Sequence, residues 1–200
     1  MNARLYDFVL SFIERRGLAE RRASILEQAV GDVLEIGAGT GLNFGYYPRS
    51  ARVVAIEPDP AMARRAIERA RSARASVNVF QLDAQRLPVE DESVDVVVGT
   101  LVMCTIPDPS GALAELRRVL RPGGKYLFIE HVRSESPRLA HWQDRLESPW
   151  GLVAGGCHPN RRTIDLIRGS GLKLTELDRF EIGLPLTKPH VAGVGVADSV

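Results

Sequence analysis

The sequence predicts an α/β fold: a doubly wound, mostly parallel sheet of seven strands with helices on both faces. Short apolar runs alternate with helix-length segments along most of the 200 residues. One run, Val33-Leu34-Glu35-Ile36, passes straight into a loop with glycine at alternate positions, Gly37-Ala38-Gly39-Thr40-Gly41. A second run, Val53-Val54-Ala55-Ile56, ends in Glu57, sixteen residues beyond Gly41. Glycine has no Cβ, so such a loop can turn sharply and bring its backbone against a ligand. A glycine loop after one strand and a carboxylate at the tip of the next is how doubly wound sheets hold a ribose.

Near the N-terminus, Leu5, Phe8, Val9, Phe12 and Ile13 recur at helical spacing, with Arg15, Arg16, Arg21 and Arg22 on other faces. Residues 1–28 are therefore expected to be a helix, either packed on the core or lying as a lid over the site; a helix on a membrane surface is a third reading. Strands are expected at 32–36 and 52–57, then a helix from Pro60 to Ser72, because proline suits a first helical turn. Strands follow at 77–82 and 93–100; the continuous Val-Asp-Val-Val-Val-Gly-Thr of the latter suits a sheet covered on both faces. A helix from Ser110 to Leu120, with Ser110 as its cap, stops before Pro122-Gly123-Gly124. A strand at 125–130, a helix at 160–170 and strands at 172–178 and 191–197 complete the series. Residues 133–158 break the alternation and receive no regular element. There is no repeat, low-complexity tract or composition break, so a single domain over 1–200 is expected.

Apolar residues make up 44% and charged residues 26%, as in an ordinary globular chain, and the net charge of +1 argues against general nucleic-acid binding. Of the 26 basic residues only three are lysine, a bias that suits a GC-rich genome better than phosphate binding. No apolar run reaches membrane-spanning length and no signal-peptide pattern opens the chain, so a cytoplasmic protein without a stable membrane anchor is expected. Cys104 and Cys157 have neither metal-ligand spacing nor a disulfide framework, and no metal is expected.

The loop spacing here, G-x-G-x-G, differs from the G-x-G-x-x-G of dinucleotide-binding dehydrogenases, and the chain has no Tyr-x-x-x-Lys pair for a reductase. The run from Glu35 to Asn43, then Glu57-Pro58-Asp59-Pro60-Ala61-Met62, Asp83-Ala84-Gln85-Arg86-Leu87-Pro88 and Arg121-Pro122-Gly123-Gly124-Lys125, appear in order. This series resembles the Rossmann-like class I S-adenosylmethionine-dependent methyltransferases over residues 30–130. The resemblance implies S-adenosyl-L-methionine as cofactor, S-adenosyl-L-homocysteine as product and an antiparallel last strand. It also implies that Gly37, Ala38 and Gly39 approach the amino-acid part and that Glu57 accepts from both ribose hydroxyls. Pro58 and Met62 would pack near the adenine, Asp83 and the Ala84 amide would meet its edge, and Thr100 and Leu101 would border the methionine chain. Glu35 would either touch the cofactor or hold the glycine loop; Asp59, Asp91 and Glu92 read as solvated loop charges.

Narrower motifs, Gly99-Thr100-Leu101-Val102-Met103-Cys104-Thr105, Glu130-His131-Val132, Gly156-Cys157-His158 with Arg161, and Pro189-His190-Val191-Ala192-Gly193, resemble the small methyltransferases related to animal membrane-associated alkyl-thiol methyltransferases. The ubiquinone and menaquinone C-methyltransferases are more distantly similar. The animal proteins carry an N-terminal hydrophobic anchor; this chain opens on the helix instead, as a soluble relative would. The favoured reaction is S-methylation of a small thiol, with residues 131–160 on the acceptor side. His131 and His158 are candidates for taking the thiol proton, and Tyr6, Trp142, Cys157 and His158 for contacting the acceptor, with Trp150 beside Trp142 in an apolar pocket. Direct displacement needs no enzyme-bound intermediate, so Cys157 is not required as a nucleophile. O- or C-methylation of a phenol or quinol, and binding of the cofactor without turnover, are the alternatives; nucleic acid and membrane are not expected partners, and the oligomeric state is not legible.

Overall fold

The computed structural model describes residues 3–85 and 87–198, with all of their side chains except those of Arg4 and Leu5. Arg86 of the third motif segment and the side chain of Leu5 in the N-terminal apolar stripe therefore lie outside the described residues. Seven strands form one sheet: β1 (Gly31–Ile36), β2 (Ala51–Ile56), β3 (Ser76–Phe80), β4 (Val94–Thr100), β5 (Leu120–His131), β6 (Leu172–Glu181) and β7 (Pro189–Ala197). Their order is β3-β2-β1-β4-β5-β7-β6. The first five pair in parallel, and β7 runs antiparallel to both β5 and β6. The order reverses between β1 and β4, and in such a sheet the crevice at that reversal, beyond the carboxyl ends of the strands, is where ligands sit.

The helices are α1 (Ala3–Ile13), α2 (Ala19–Leu26), α3 (Pro60–Ala70), α4 (Pro109–Val119), α5 (Pro137–Arg145), α6 (Glu147–Val153) and α7 (Thr163–Gly169). Side chains alternate across a strand, so each face of the sheet has its own core. On one face, Leu34, Ile36, Val97, Tyr126 and Phe128 pack with Leu113 and Leu116 of α4 and Ile167 of α7. On the other, Val33, Val53, Val96, Val98, Leu127 and Ile129 pack with Leu26 of α2, Ala66 of α3, Phe44 and Tyr47. Among the described residues no helix is long and apolar enough to cross a membrane.

Three local expectations are corrected. The N-terminal helix is two helices joined by a π-helical turn over Glu14–Leu18, because Gly17 adopts φ 113, outside the helical range. The cap of α4 is Asp108, whose Oδ1 accepts from the Gly111 amide at 2.9 Å; Pro109 then fills the first helical position and Ser110 lies inside the helix. Residues 133–158 contain α5 and α6, both too short for periodicity to reveal. Asp59 also gains a role, since its Oδ1 accepts from the Ala61 and Met62 amides at 2.8 and 2.9 Å and caps α3.

Candidate active site

A cavity of about 410 Å³ opens beyond the carboxyl ends of β1, β2, β3 and β4. Gly37, Gly39, Glu57, Pro58, Met62, Asp83, Ala84 and Leu101 line it together with Tyr6 from α1. Ala38 and Thr100 line a small recess beside it, and Gly37 borders both. Ten of the eleven cofactor candidates that the family resemblance implies thus lie around one crevice. The remaining one, Glu35, is buried beneath the glycine loop, where its Oε1 accepts from Asn43 Nδ2 at 2.9 Å and its Oε2 from the Tyr47 hydroxyl at 2.7 Å. Burial pushes the Glu35 carboxyl up to about 7, against those two hydrogen bonds.

The glycine loop is tight for a steric reason. Gly37 has φ 57, and a Cβ there would lie 2.1 Å from Cγ2 of Val102. Glu57 closes the loop from the neighbouring strand: its Oε2 accepts from the Gly39 amide at 2.8 Å and its Oε1 from the Asp59 amide at 2.9 Å. Burial raises the Glu57 pKa, and the two amides oppose that shift. Asp83 is exposed at the cavity rim and turns back on Gln85, accepting from its backbone amide at 3.0 Å and its side-chain amide at 2.9 Å.

The recess contains a group that sequence reasoning missed. Arg22 of α2 is 3% exposed, and its guanidinium donates to Glu14 Oε1, Asn43 Oδ1 and Thr100 Oγ1 at 2.8, 2.6 and 2.8 Å. Nothing local distinguishes it from Arg21, which lies over the Phe180 ring at 3.8 Å; only the fold brings Arg22 to the tips of β1 and β4. The N-terminal segment is fastened over this end of the site. Asp7 pairs with Arg65 and Arg69 of α3 at 2.7 and 2.8 Å and accepts from the Thr40 hydroxyl of the glycine loop at 2.5 Å. The Tyr6 hydroxyl has its pKa pushed up to about 12, chiefly by burial.

At the other end, Leu101, Thr105, Ile106, Ala154 and Gly155 form the cavity wall. Behind that wall Cys104, His131 and Cys157 meet, their ligand atoms all within 4.8 Å of one another. His131 Nε2 is 3.0 Å from Cys157 Sγ, and the Trp150 indole N–H donates to the same sulfur at 3.2 Å. His131 Nδ1 is buried without a partner among the described residues. The Cys157 thiol is held far above the usual range, first by its contact with the Cys104 thiol and then by burial. The two cysteines are 53 positions apart in sequence, so no spacing motif could announce the cluster. His158 and Trp142 do not line the cavity. His158 Nδ1 sits 2.7 Å from Glu147 Oε1, and Trp142 is 53% exposed on α5. A second recess of about 520 Å³ carries Arg133, Arg162, Arg168 and Arg179, but the first, second and fourth are already matched by Asp144, Asp165 and Glu135.

A methyltransferase-domain family model matches residues 34–128. Human thiol S-methyltransferase TMT1A is 35% identical over 170 residues, which cover 82% of this chain and 70% of the human protein. Phosphatidylethanolamine N-methyltransferase of Cereibacter sphaeroides is 30% identical over 138 residues, 68% of each chain. The crystal structure of the N-methyltransferase NodS from Bradyrhizobium japonicum in complex with S-adenosyl-L-homocysteine superposes with a TM-score of 0.71, over 94% of this chain and 88% of that one, at 18% identity. With a glycine loop, an acidic second strand tip, a seven-stranded sheet whose last strand is antiparallel, and these likenesses, the chain belongs to the class I S-adenosylmethionine-dependent methyltransferases.

Proposed function

We propose that the protein methylates a small thiol. The observation that carries this reading is the make-up of the cavity. Its lining carboxylates, Glu57, Asp59 and Asp83, all come from the tips of β2 and β3, at the proposed ribose and adenine end. The wall at the far end is apolar apart from Thr105, backed by two thiols and one imidazole. A thiol has a pKa near 8.5 and reaches its nucleophilic form with little help. A phenol or an ammonium asks more of a base, and among the described residues no carboxylate lines this wall. The human relative's name agrees with a thiol acceptor.

When bound, S-adenosylmethionine supplies an electrophilic methyl on a sulfonium. The chain's own residues bind, orient and enclose. In this reading Glu57 accepts from the ribose hydroxyls through the lone pairs that its two amide bonds leave free. Pro58 and Met62 flank the adenine, and Asp83 and the Ala84 amide meet its edge. Arg22 faces the amino-acid carboxylate, with Thr100 and Leu101 along the methionine chain. Tyr6 and α1 cover the crevice and exclude water, so the reaction is sheltered from hydrolysis. His131 serves the acceptor side; His158, turned toward Glu147, positions the loop that carries Cys157. Trp150 rather than Trp142 borders that side.

The second relative favours a different acceptor, the amine of a lipid head group. Labelled S-adenosylmethionine offered with small thiols, phenols, quinols and ethanolamine lipids separates the readings. Transfer confined to thiols is expected. Transfer confined to the amine, phenol or quinol would overturn the proposal.

A further inference from the structure

We propose that Cys104, His131 and Cys157 form a binding site for a soft divalent cation of the zinc class, set against the acceptor end of the cavity. The donors come from three separate elements: the loop after β4, the end of β5 and the loop before α7. They are 2%, 5% and 9% exposed. Two thiols and an imidazole, with no oxygen ligand among them, are the donor set that suits zinc and disfavours magnesium or calcium.

The spacing fits. Metal–ligand lengths of about 2.3 Å for sulfur and 2.0–2.1 Å for nitrogen put tetrahedral donors roughly 3.5–3.8 Å apart. The cluster, with every pair inside 4.8 Å and His131 Nε2 at 3.0 Å from Cys157 Sγ, brackets that range. The supporting loops are fixed by bonds that leave the donor atoms free. The His158 amide donates to the Cys104 carbonyl at 2.9 Å, and Arg161 Nη1 donates to the Met103 and Ile106 carbonyls at 2.6 Å each. The Arg133 amide donates to the Arg161 carbonyl at 3.0 Å, which ties the end of β5 to the same loop. The Trp150 N–H directed at Cys157 Sγ is the kind of outer hydrogen bond that steadies a metal-bound thiolate.

Charge also fits. A divalent ion bound by two thiolates and a neutral imidazole gives a site of zero net charge, which a buried position tolerates. Binding releases two protons, one from each thiol. Three protein donors leave a four-coordinate ion one further position, the pattern of a catalytic rather than a closed structural site. Thr105, whose hydroxyl is 3.5 Å from Cys104 Sγ, lines the cavity, so the cluster is one side chain away from the acceptor. One consequence rests on the thiol reading above: an acceptor thiol would enter that fourth position as a thiolate, releasing its proton to water.

The test is titration of reduced, metal-free protein with cobalt(II), read by absorption. One ion per chain is expected, with sulfur-to-cobalt charge transfer in the near ultraviolet and tetrahedral bands in the visible, displaced by zinc. C104S and C157S should each abolish the charge-transfer signal or halve its intensity, and H131A should weaken binding at least tenfold. Absence of the sulfur signal from folded, reduced wild-type protein that still binds S-adenosylhomocysteine would overturn the site, as would binding insensitive to C157S. If that metal-free protein methylates thiols at full rate, the thiol reading survives while the metal site falls. Cobalt uptake without thiol methylation would keep the metal site and sink the thiol reading.

Discussion

The Gly39 amide donates to Oε2 of Glu57 at 2.8 Å, so the carboxylate at the tip of β2 is also the strut of the loop that follows β1. One side chain thus shapes the floor of the crevice and presents acceptors to whatever lies in it. Replacing Glu57 by alanine removes both functions. Affinity for S-adenosylhomocysteine should fall by about 2 kcal/mol or more, the scale of lost charge-assisted hydrogen bonds. Calorimetry checks this, and unchanged affinity would remove Glu57 from the proposed ribose site.

The glycine loop makes a graded prediction. At Gly37 a Cβ meets Val102 at 2.1 Å, whereas at Gly39 the nearest atom is the Tyr6 hydroxyl at 3.7 Å; both residues have φ near 58. Gly39→Ala should cost only the left-handed backbone penalty, about 1–2 kcal/mol. Gly37→Ala should cost that plus overpacking, a further ~1–3 kcal/mol, and should lose cofactor binding. Thermal unfolding and calorimetry of the two variants compare them directly; equal effects would refute the steric account.

Arg22 is the buried charge on which the recess depends. Arg22→Met leaves Glu14 without its 2.8 Å partner and Asn43 Oδ1 without its donor, and leaves Thr100 Oγ1 with the Asn43 Nδ2 donor at 3.0 Å. Breaking a buried pair from one side typically costs about 3–5 kcal/mol. Urea unfolding should show a loss on that scale, and S-adenosylhomocysteine should bind more weakly in the protein that remains folded. A loss below about 1 kcal/mol, the surface-pair range, would mean that the pair is not the keystone its burial implies.

Glu35 sets a pH dependence. Its carboxyl is raised from the ordinary 4.5 to about 7 by burial, so the folded state holds the proton more tightly than the unfolded state. The stability this gives is complete below about 4.5 and is lost as pH rises through 7. Urea midpoints should fall between pH 5 and pH 8, and Glu35→Gln should reduce that slope, leaving the part due to Glu130, whose carboxyl burial also raises to about 7. A slope identical in the variant would show that Glu35 does not control it.

Legibility followed the range of the interactions. Strand positions and the crevice beyond their tips were readable because β1, β2 and β4 are short apolar runs whose tips the topology must align, which is why Gly37, Glu57 and Leu101 meet. Gly17 could have signalled the break between α1 and α2, since one glycine inside an amphipathic stretch is a local cue. α5 and α6, at nine and seven residues, take their form from tertiary packing rather than periodicity. Arg22 and the Cys104–His131–Cys157 cluster were illegible for a stronger reason: their partners are separated in sequence by tens of residues and meet only once the sheet is ordered.

The place of β7 has a consequence for how the protein is made. Among the described residues β6 pairs only with β7, and β7 lies between β6 and β5. A ribosome delivers β6 before the strand that will join it to the rest. Until β7 emerges, the ten residues of β6 have no place in the sheet, and β5 presents an open edge to the cell. The pairing of β7 with β6, its neighbour in sequence, is local, whereas its pairing with β5, which ends at His131, is a non-local closure, a slow kind of step and one exposed to aggregation. The sheet is therefore finished from within, after synthesis has passed it, and the interval before that insertion is when a chaperone would have most to protect.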